Sequence, residues 1–222
     1  MKLFGPLHLS LLAAIGLAGC VLVWVCRRLE RARAPVRLLL GGGLVVNEVV
    51  WLCYRYSLEG VHLWNLPLQL CDVTLWMTAF ACLTLARPLV EFAYFAGFAG
   101  AAMALITPDL MRPWPQYPAI YFFVAHAGIV IGIAVLVVGR IAPLRNGAVW
   151  RAFGMLIGYA VPVGAFNAIT RANYMYLCRK PGNASLLDAF GPWPVYLLAG
   201  AAAGLALFWL LWLPVRPRHQ RG

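Results

Sequence analysis

The chain alternates between long apolar runs and short polar connections. Seven apolar runs cover residues 7–26, 38–54, 68–86, 89–107, 119–139, 152–170 and 193–215. A helix needs about 20 apolar residues to cross a hydrocarbon core roughly 30 Å thick, and each run is close to that length. Too little sequence remains for a separate soluble domain. The pattern therefore predicts an all-α multi-pass membrane protein, with residues 1–222 forming a single bundle of seven transmembrane helices.

Composition agrees with this fold class, and charge adds an orientation. Hydrophobic residues make up 63% of the chain and charged residues 11%, against about 25% charged in soluble domains. If the first connection is cytoplasmic, 12 of the 18 lysines and arginines fall on the inner side of the membrane. The positive-inside rule then predicts an N-terminus outside and a C-terminus in the cytoplasm. We expect a multi-pass protein of a cell membrane, of the bacterial cytoplasmic membrane in particular.

The net charge of +11 does not indicate a nucleic-acid partner, because the arginines lie in short connections between apolar runs. Topology signals and contacts with anionic lipid headgroups account for them. The six cysteines lack CxxC spacing and the four histidines form no ligand pattern with them, so we predict no metal site and no cofactor. Lys2 and Lys180 both lie outside the runs, which excludes a retinal Schiff base. A pairing of Cys53 with Cys178 at the outer face stays open.

Polar side chains concentrate at the start of the third run, in the segment from Leu66 to Thr74. An ionisable group inside a membrane marks a functional site or a buried polar contact. Helix rise and direction place Cys71 and Asp72 about one turn inside the outer surface and His126 at a comparable depth. We expect polar side chains from four helices to share the outer half of the bilayer; the others are Asn47, Glu48 and Asn167.

Each of these residues also has a structural interpretation. Asn47, Gln69 and Asn167 suit hydrogen bonds between helices. Glu48 is placed to pair with Arg55, two turns further along the same helix face, and Asp72 suits the positive end of a helix start. His126 lies among aromatic and aliphatic residues, where a core histidine is equally consistent with the sequence.

Cys71 is the candidate nucleophile. Thr74 and Thr78 follow it at i+3 and i+7, so it begins a weakly polar stripe that we expect to face inward. A thiol attacks efficiently only as the thiolate, which requires a base or a positive charge nearby. His8 lies at the very start of the first run, so His126 is the only histidine deep within a predicted span and therefore the candidate base. The alternative is that Cys71 is a structural cysteine that packs as a small hydrophobe.

Several blocks of the sequence resemble a known family. Asn173-Tyr174-Met175-Tyr176-Leu177, then Ser185-Leu186-Leu187-Asp188 and Gly191-Pro192-Trp193-Pro194, are similar to the bacterial YwaF family of integral membrane proteins. The stretch from Leu66 to Asp72 and the stretch from Phe122 to His126 match other blocks. That family is grouped with the transmembrane protein 164 acyltransferases, which remodel phospholipids through a cysteine acyl intermediate assisted by a histidine. The resemblance implies that Cys71 is this cysteine and His126 this histidine.

These observations predict a lipid acyltransferase or transacylase with Cys71 as nucleophile and His126 as general base. Its partners are membrane lipids, as acyl donor and as lysolipid acceptor. The predicted substrate-binding residues are Asn47, Glu48, Gln69, Asp72, Asn167 and Asn173. The alternative from another class is a proton-coupled carrier or a ligand-binding scaffold, which uses intramembrane acidic residues in a similar way. Broken helices repeated between the two halves, which are typical of carriers, are missing from the sequence.

Overall fold

The computed structural model describes residues 2–182 and 185–217, which form seven long helices without a β-strand. These are α1 (Pro6–Arg28), α2 (Glu30–Glu59), α3 (Leu70–Thr84), α4 (Arg87–Ile106), α5 (Tyr117–Val138), α6 (Ala148–Thr170) and α7 (Val195–Trp212). Six of them are long and apolar enough to cross a membrane, and α3, with 15 residues, is the short one. The prediction of an all-α multi-pass membrane protein is confirmed.

The first connection is helical rather than an extended loop. Only Leu29 separates α1 from α2. Helix α2 has 30 residues and begins at Glu30, well before the predicted apolar run that starts at residue 38. Alanine and arginine both favour helix, and Glu30 at the first position interacts favourably with the helix dipole. Pro35 lies near the start of α2, where a proline disturbs a helix less than at its centre.

Glycines allow α2, α3 and α5 to approach each other closely. A Cβ atom at Gly41 of α2 would lie 2.9 Å from the Ala79 carbonyl oxygen of α3. A Cβ atom at Gly128 of α5 would lie 2.6 Å from the Leu44 side chain of α2. Small residues at such contacts let helix backbones approach in a membrane, where van der Waals packing drives association. These three helices form the part of the core that positions the candidate site.

Arginines at one end of the bundle satisfy the last carbonyl groups of neighbouring helices. Arg37 donates to the carbonyl oxygens of Cys82 and Leu83 at 2.7 and 2.8 Å, at the end of α3. Arg27 donates to the Val138 carbonyl oxygen at 2.8 Å, at the end of α5. Helix ends leave such carbonyls without an intrahelical partner. These arginines therefore have a specific packing role in addition to any effect on membrane orientation.

The same end of the bundle contains an ion-pair network that the sequence did not predict. The side chain of Glu91 in α4 is 2% exposed and accepts hydrogen bonds from two arginines. Arg145 binds one carboxylate oxygen at 3.0 Å, and Arg151 of α6 binds both oxygens, at 2.7 and 2.8 Å. The network joins α4 to α6 and to the connection before it.

Candidate functional site

Glu48 lies in the centre of the buried face of α2. The buried residues of this helix, spaced three or four apart, are Gly41, Leu44, Glu48 and Trp51, and Glu48 is 0% exposed. Its Oε2 atom accepts a hydrogen bond from the Tyr121 hydroxyl of α5 at 2.6 Å. The Tyr121 ring stacks on Trp51 with the ring centres 4.3 Å apart. The carboxyl group is therefore held at the contact between α2 and α5.

The predicted pairing of Glu48 with Arg55 is wrong. Arg55 instead pairs with Glu59, at 3.2 Å, one turn further along α2. The buried side of the helix presents Glu48 to α5, so its carboxylate finds a hydroxyl partner there instead of the guanidinium group.

Two buried polar atoms next to each other in sequence have no hydrogen-bond partner among the described residues. They are Oε1 of Glu48 and Nδ2 of Asn47. A buried polar atom without a partner costs about 1–3 kcal/mol, and native proteins contain few of them. Both lie in the part of α2 that we predicted to be near mid-membrane. This region therefore has hydrogen-bonding capacity that the described protein does not use.

The first residue of α3 lies deeper in the bundle than the last residue of α2. The contacts of Arg37 with Leu83 and of Gly41 with Ala79 fix the register of this antiparallel pair. Counting along the helices from these contacts, α2 continues more than two turns, roughly 13 Å, past the first residue of α3. The connection between the helices thus descends alongside α2. Irregular backbone at membrane depth is tolerated where it is buried in protein or lines a polar cavity.

This connection is anchored by side chains from within it and from α6. Asn65 is 2% exposed, and its amide group donates to the Gly60 carbonyl and accepts from the His62 amide, both at 2.9 Å. The Tyr159 hydroxyl of α6 donates to the Leu68 carbonyl at 3.0 Å. Most of the irregular backbone before α3 therefore has protein partners, and the start of α3 is held in a fixed position.

Asp72 acts at the helix start as its structural interpretation predicted. Its Oδ2 atom accepts a hydrogen bond from the Gln69 amide at 3.0 Å, and its Oδ1 atom lies 3.9 Å from the Cys71 sulfur. Cys71 itself is exposed, whereas Thr74 and Thr78 on the same face are 2% and 0% exposed. The inward-facing stripe is confirmed for the two threonines and is wrong for Cys71, whose side chain is exposed.

One ring nitrogen of His126 forms a hydrogen bond, and the other has no hydrogen-bond partner among the described residues. Its Nδ1 atom lies 2.7 Å from the Phe122 carbonyl oxygen, which only accepts hydrogen bonds. Nδ1 therefore carries the proton in the neutral ring, and Nε2 keeps its lone pair. The residue is 7% exposed and packs against the Phe122 ring at 4.2 Å between centres. This tautomer is the one that a general base acting through Nε2 requires.

Packing contacts one turn away relate the level of Cys71 to that of His126. A Cβ atom at Gly97 of α4 would lie 3.3 Å from both Thr74 of α3 and Ile129 of α5. Helices α3 and α5 run in the same direction, and the two site residues precede these contacts by three positions each. Residues three apart share a helix face. Cys71 and His126 therefore lie at similar depth, each one turn before this junction along its helix.

Three predicted substrate-binding residues have their polar atoms bound within the protein. Gln69 accepts from the Met175 amide at 2.9 Å, and Asn167 makes two hydrogen bonds with the Tyr174 backbone at 2.9 and 3.0 Å. Asn173 accepts from two amides of the same loop at 3.1 and 3.2 Å. The Gln69 contact holds the loop after α6 against the start of α3, and the contacts of Asn167 and Asn173 stabilise the loop itself. Direct contact of these side chains with a substrate stays a prediction.

Tyr174, in the same loop, also contacts the segment before α3, although it was not among the predicted site residues. Its hydroxyl accepts from the Leu66 amide at 2.7 Å and donates to the Leu63 carbonyl at 2.9 Å. Burial raises the pKa of this hydroxyl above its ordinary value, so it remains a neutral donor. The sequence signal was a block of aromatic residues directly after the last polar residues of an apolar run. Tyr121 was missed as well, although a hydroxyl within an apolar run is a comparable signal.

The predictions about a disulfide and a metal site can be compared with the structure. All six cysteines are free, so the suggested pairing of Cys53 with Cys178 is not present. Within residues 2–182 and 185–217, no group of three or more acidic, histidine or cysteine residues has the geometry of a metal site. Cavities of about 200 and 340 Å³ lie elsewhere, next to Glu91 and next to Arg112. Neither is lined by Cys71, which instead reaches the surface directly.

A family model described as the TMEM164 family matches residues 3–212. No curated protein and no solved structure matches the chain.

Proposed function

The chain belongs to the TMEM164 family, and on this basis we propose that it is a membrane-embedded lipid acyltransferase or transacylase. The family match extends over nearly the whole bundle and includes both residues of the proposed dyad. It agrees with the resemblance from which Cys71 and His126 were predicted. The proposed substrates are a phospholipid or related lipid ester as acyl donor and a lysolipid as acceptor.

The first half-reaction transfers the acyl group to the protein. Nε2 of His126 takes the proton of the Cys71 thiol, and the thiolate attacks the carbonyl carbon of the acyl ester. The tetrahedral intermediate collapses with cleavage of the ester C–O bond. His126 returns the proton to the leaving alkoxide, which departs as a lysolipid. The product on the protein is a thioester at Cys71.

The second half-reaction regenerates the thiol. His126 takes a proton from the hydroxyl of the acceptor lysolipid, and the resulting alkoxide attacks the thioester carbonyl. Cleavage of the C–S bond releases the new ester, and the proton returns to the Cys71 sulfur. No net redox change occurs and no external reagent is consumed.

One observation carries this proposal: an accessible thiol lies at the depth of a histidine whose Nε2 lone pair is free. Cys71 is exposed at the end of an otherwise buried stripe, and the Nδ1 proton of His126 is held by the Phe122 carbonyl. A core histidine would use both ring nitrogens, as buried His8 does by contacting Phe4 through Nδ1 and Leu105 through Nε2.

The test uses purified protein in nanodiscs that contain a phospholipid with a labelled acyl chain and an unlabelled lysolipid. We expect Cys71→Ala to abolish label transfer and His126→Ala to lower its rate by about 10²–10⁴-fold. Cys53→Ala, which removes another exposed thiol, is the matched control and should transfer at the wild-type rate. Wild-type rates in both Cys71→Ala and His126→Ala would overturn the proposal.

One observation favours the carrier alternative. Glu48 is buried, and one of its carboxyl oxygens has no hydrogen-bond partner among the described residues. Intramembrane acids of this kind serve proton-coupled transport. A thiol-directed acyl probe separates the two functions. Labelling that disappears in Cys71→Ser supports the enzyme, and absence of labelling in the wild type supports the carrier.

A further inference from the structure

The proposed reaction develops a negative charge on the ester carbonyl oxygen, and the dyad does not stabilise it. Enzymes of acyl transfer place hydrogen-bond donors where this oxyanion forms, and a single donor accounts for about 10²–10³ in rate. We therefore searched the region around Cys71 for a donor without a partner in the protein. Among the described residues three buried side-chain atoms have no hydrogen-bond partner. Two of them, Oε1 of Glu48 and Nδ2 of Asn47, lie on α2, and the third, Oγ of Ser185, lies in the loop before α7.

The surroundings of Glu48 favour its neutral, protonated form. The side chain is 0% exposed, and no lysine, arginine or histidine among the described residues lies within 4.0 Å of its carboxyl group. The nearest arginine along α2, Arg55, is engaged by Glu59. Burying an ionised carboxylate without a cation is far more costly than burying the acid. A protonated carboxyl group has one O–H donor and retains acceptor capacity.

The contact with Tyr121 decides which oxygen carries the free proton. The Tyr121 hydroxyl donates to Oε2 at 2.6 Å, so Oε2 acts as the acceptor oxygen. The acid proton then belongs on Oε1, which has no partner among the described residues. The stacking of Tyr121 on Trp51 fixes the phenol ring and, through it, the orientation of the carboxyl group. Glu48 is therefore a preoriented donor rather than a mobile one.

The packing of α2 directs this donor towards the dyad. The residues one and two turns before Glu48 on the same face are Leu44, which contacts Gly128 of α5, and Gly41, which contacts Ala79 of α3. The register of α2 with α3 brings Glu48 to the level of Asp72, directly after Cys71. Glu48 thus faces the α3–α5 junction at the depth of the thiol.

We propose that Glu48, protonated and oriented by Tyr121, donates a hydrogen bond from Oε1 to the carbonyl oxygen of the acyl group that Cys71 attacks. The proton stays on Glu48 throughout, and the hydrogen bond strengthens as the oxygen becomes negative. Oε1 is buried, so in this proposal the acyl carbonyl reaches it only when the lipid enters between the helices. A hydrogen bond in such a water-excluded site is stronger than at an exposed one. In this role Glu48 is a catalytic residue and Tyr121 a positioning residue. The inference rests on the proposed acyl transfer.

The kinetic test compares Glu48→Gln with Glu48→Leu in the labelled-lipid assay. Glutamine keeps a neutral N–H donor and an acceptor for Tyr121, so we expect kcat within about tenfold of the wild type. Leucine removes the donor while keeping an apolar side chain of similar size, so kcat should fall by about 10²–10³-fold with little change in KM. Wild-type activity in Glu48→Leu would overturn the inference. Loss in Glu48→Gln as large as in Glu48→Leu would also overturn it, because it would indicate a charged carboxylate.

A spectroscopic test does not depend on turnover. Infrared difference spectra of wild type against Glu48→Gln should contain the carbonyl band of a protonated carboxylic acid, and Tyr121→Phe should shift that band. In detergent with stoichiometric phosphatidylcholine, ¹³C-labelled at its ester carbonyls, the ester band should be lowered in wild type and Glu48→Gln but not in Glu48→Leu. Equal ester bands in all three proteins, or no protonated-acid band, would overturn the inference. Failure of acyl transfer alone, with these bands present, would overturn only the proposed dyad.

Discussion

Replacing Gly41 by alanine tests the helix contact on which the candidate site depends. The new Cβ atom would lie 2.9 Å from the Ala79 carbonyl oxygen, 2.9 Å from Leu83 and 3.0 Å from Cys82. A backbone oxygen cannot rotate away, so the helices must separate. At the neighbouring Gly42 the same atom would meet nothing within 4 Å. The adjacent glycines therefore provide a matched pair within one turn of α2.

The expected magnitude follows from two terms. Alanine favours helix over glycine by about 1 kcal/mol at either position, so this term cancels in the comparison. Overpacking of a close contact costs about 1–3 kcal/mol, and it applies to Gly41→Ala alone. The two variants should thus differ by about 1–3 kcal/mol in the free energy of unfolding. For a chain of this size that corresponds to roughly 2–12 °C in Tm.

The assay is thermal denaturation of both variants in one detergent, followed by size-exclusion chromatography of the soluble fraction. Gly41→Ala should have a lower Tm than the wild type, and Gly42→Ala a Tm equal to it or slightly higher. If the site depends on this contact, Gly41→Ala should also lose acyl-transfer activity below its Tm. Equal Tm values for the two variants would refute the close α2–α3 contact and, with it, the level assigned to Glu48.

Three further predictions address the packing around the site. Glu91→Gln should lower stability by about 1–3 kcal/mol in the same thermal assay, because it removes the charge from hydrogen bonds to two half-exposed arginines. Glu30→Gln, which breaks an exposed pair, should change stability by less than about 1 kcal/mol, and equal effects would contradict the network. Asn167→Ala should lower the free energy of unfolding by about 1–3 kcal/mol, because its hydrogen bonds to Tyr174 are lost. It should also speed proteolysis of the loop after α6, and an unchanged cleavage rate would contradict the anchoring role. Denatured protein that was never reduced should take up six equivalents of a thiol reagent, and four would reveal a disulfide.

The number and length of the apolar runs were sufficient to predict the architecture, because the membrane requires each span to satisfy its own backbone hydrogen bonds. They did not predict that α3 begins more than two turns below the end of α2. That offset depends on Gly41 and on the arginine contacts at the end of α3, which are tertiary features. The helical start of α2 was missed because its arginines suggested a connection, although their intrinsic preference is for helix.

Depth along a helix can be estimated from sequence, whereas hydrogen-bond partners cannot. The comparable depths of Cys71 and His126 followed from helix rise and direction alone. The partner of Glu48 was predicted along its own helix, and it lies on another one because the buried face of α2 turns away from Arg55. Asn167 illustrates a third case: a hydrogen bond between helices was predicted, and its side chain instead binds the Tyr174 backbone in the loop after its own helix.

Detection of an acyl thioester on Cys71 tests the central claim most directly. Purified protein would be incubated with a phospholipid that carries a labelled acyl chain, without acceptor, then digested and analysed by mass spectrometry. We expect one acyl adduct, on the Cys71 peptide. Neutral hydroxylamine or added lysolipid should release it, and its amount should be strongly reduced in His126→Ala. Acyl transfer that proceeds while the Cys71 peptide stays unmodified, or an adduct confined to another cysteine, would contradict it.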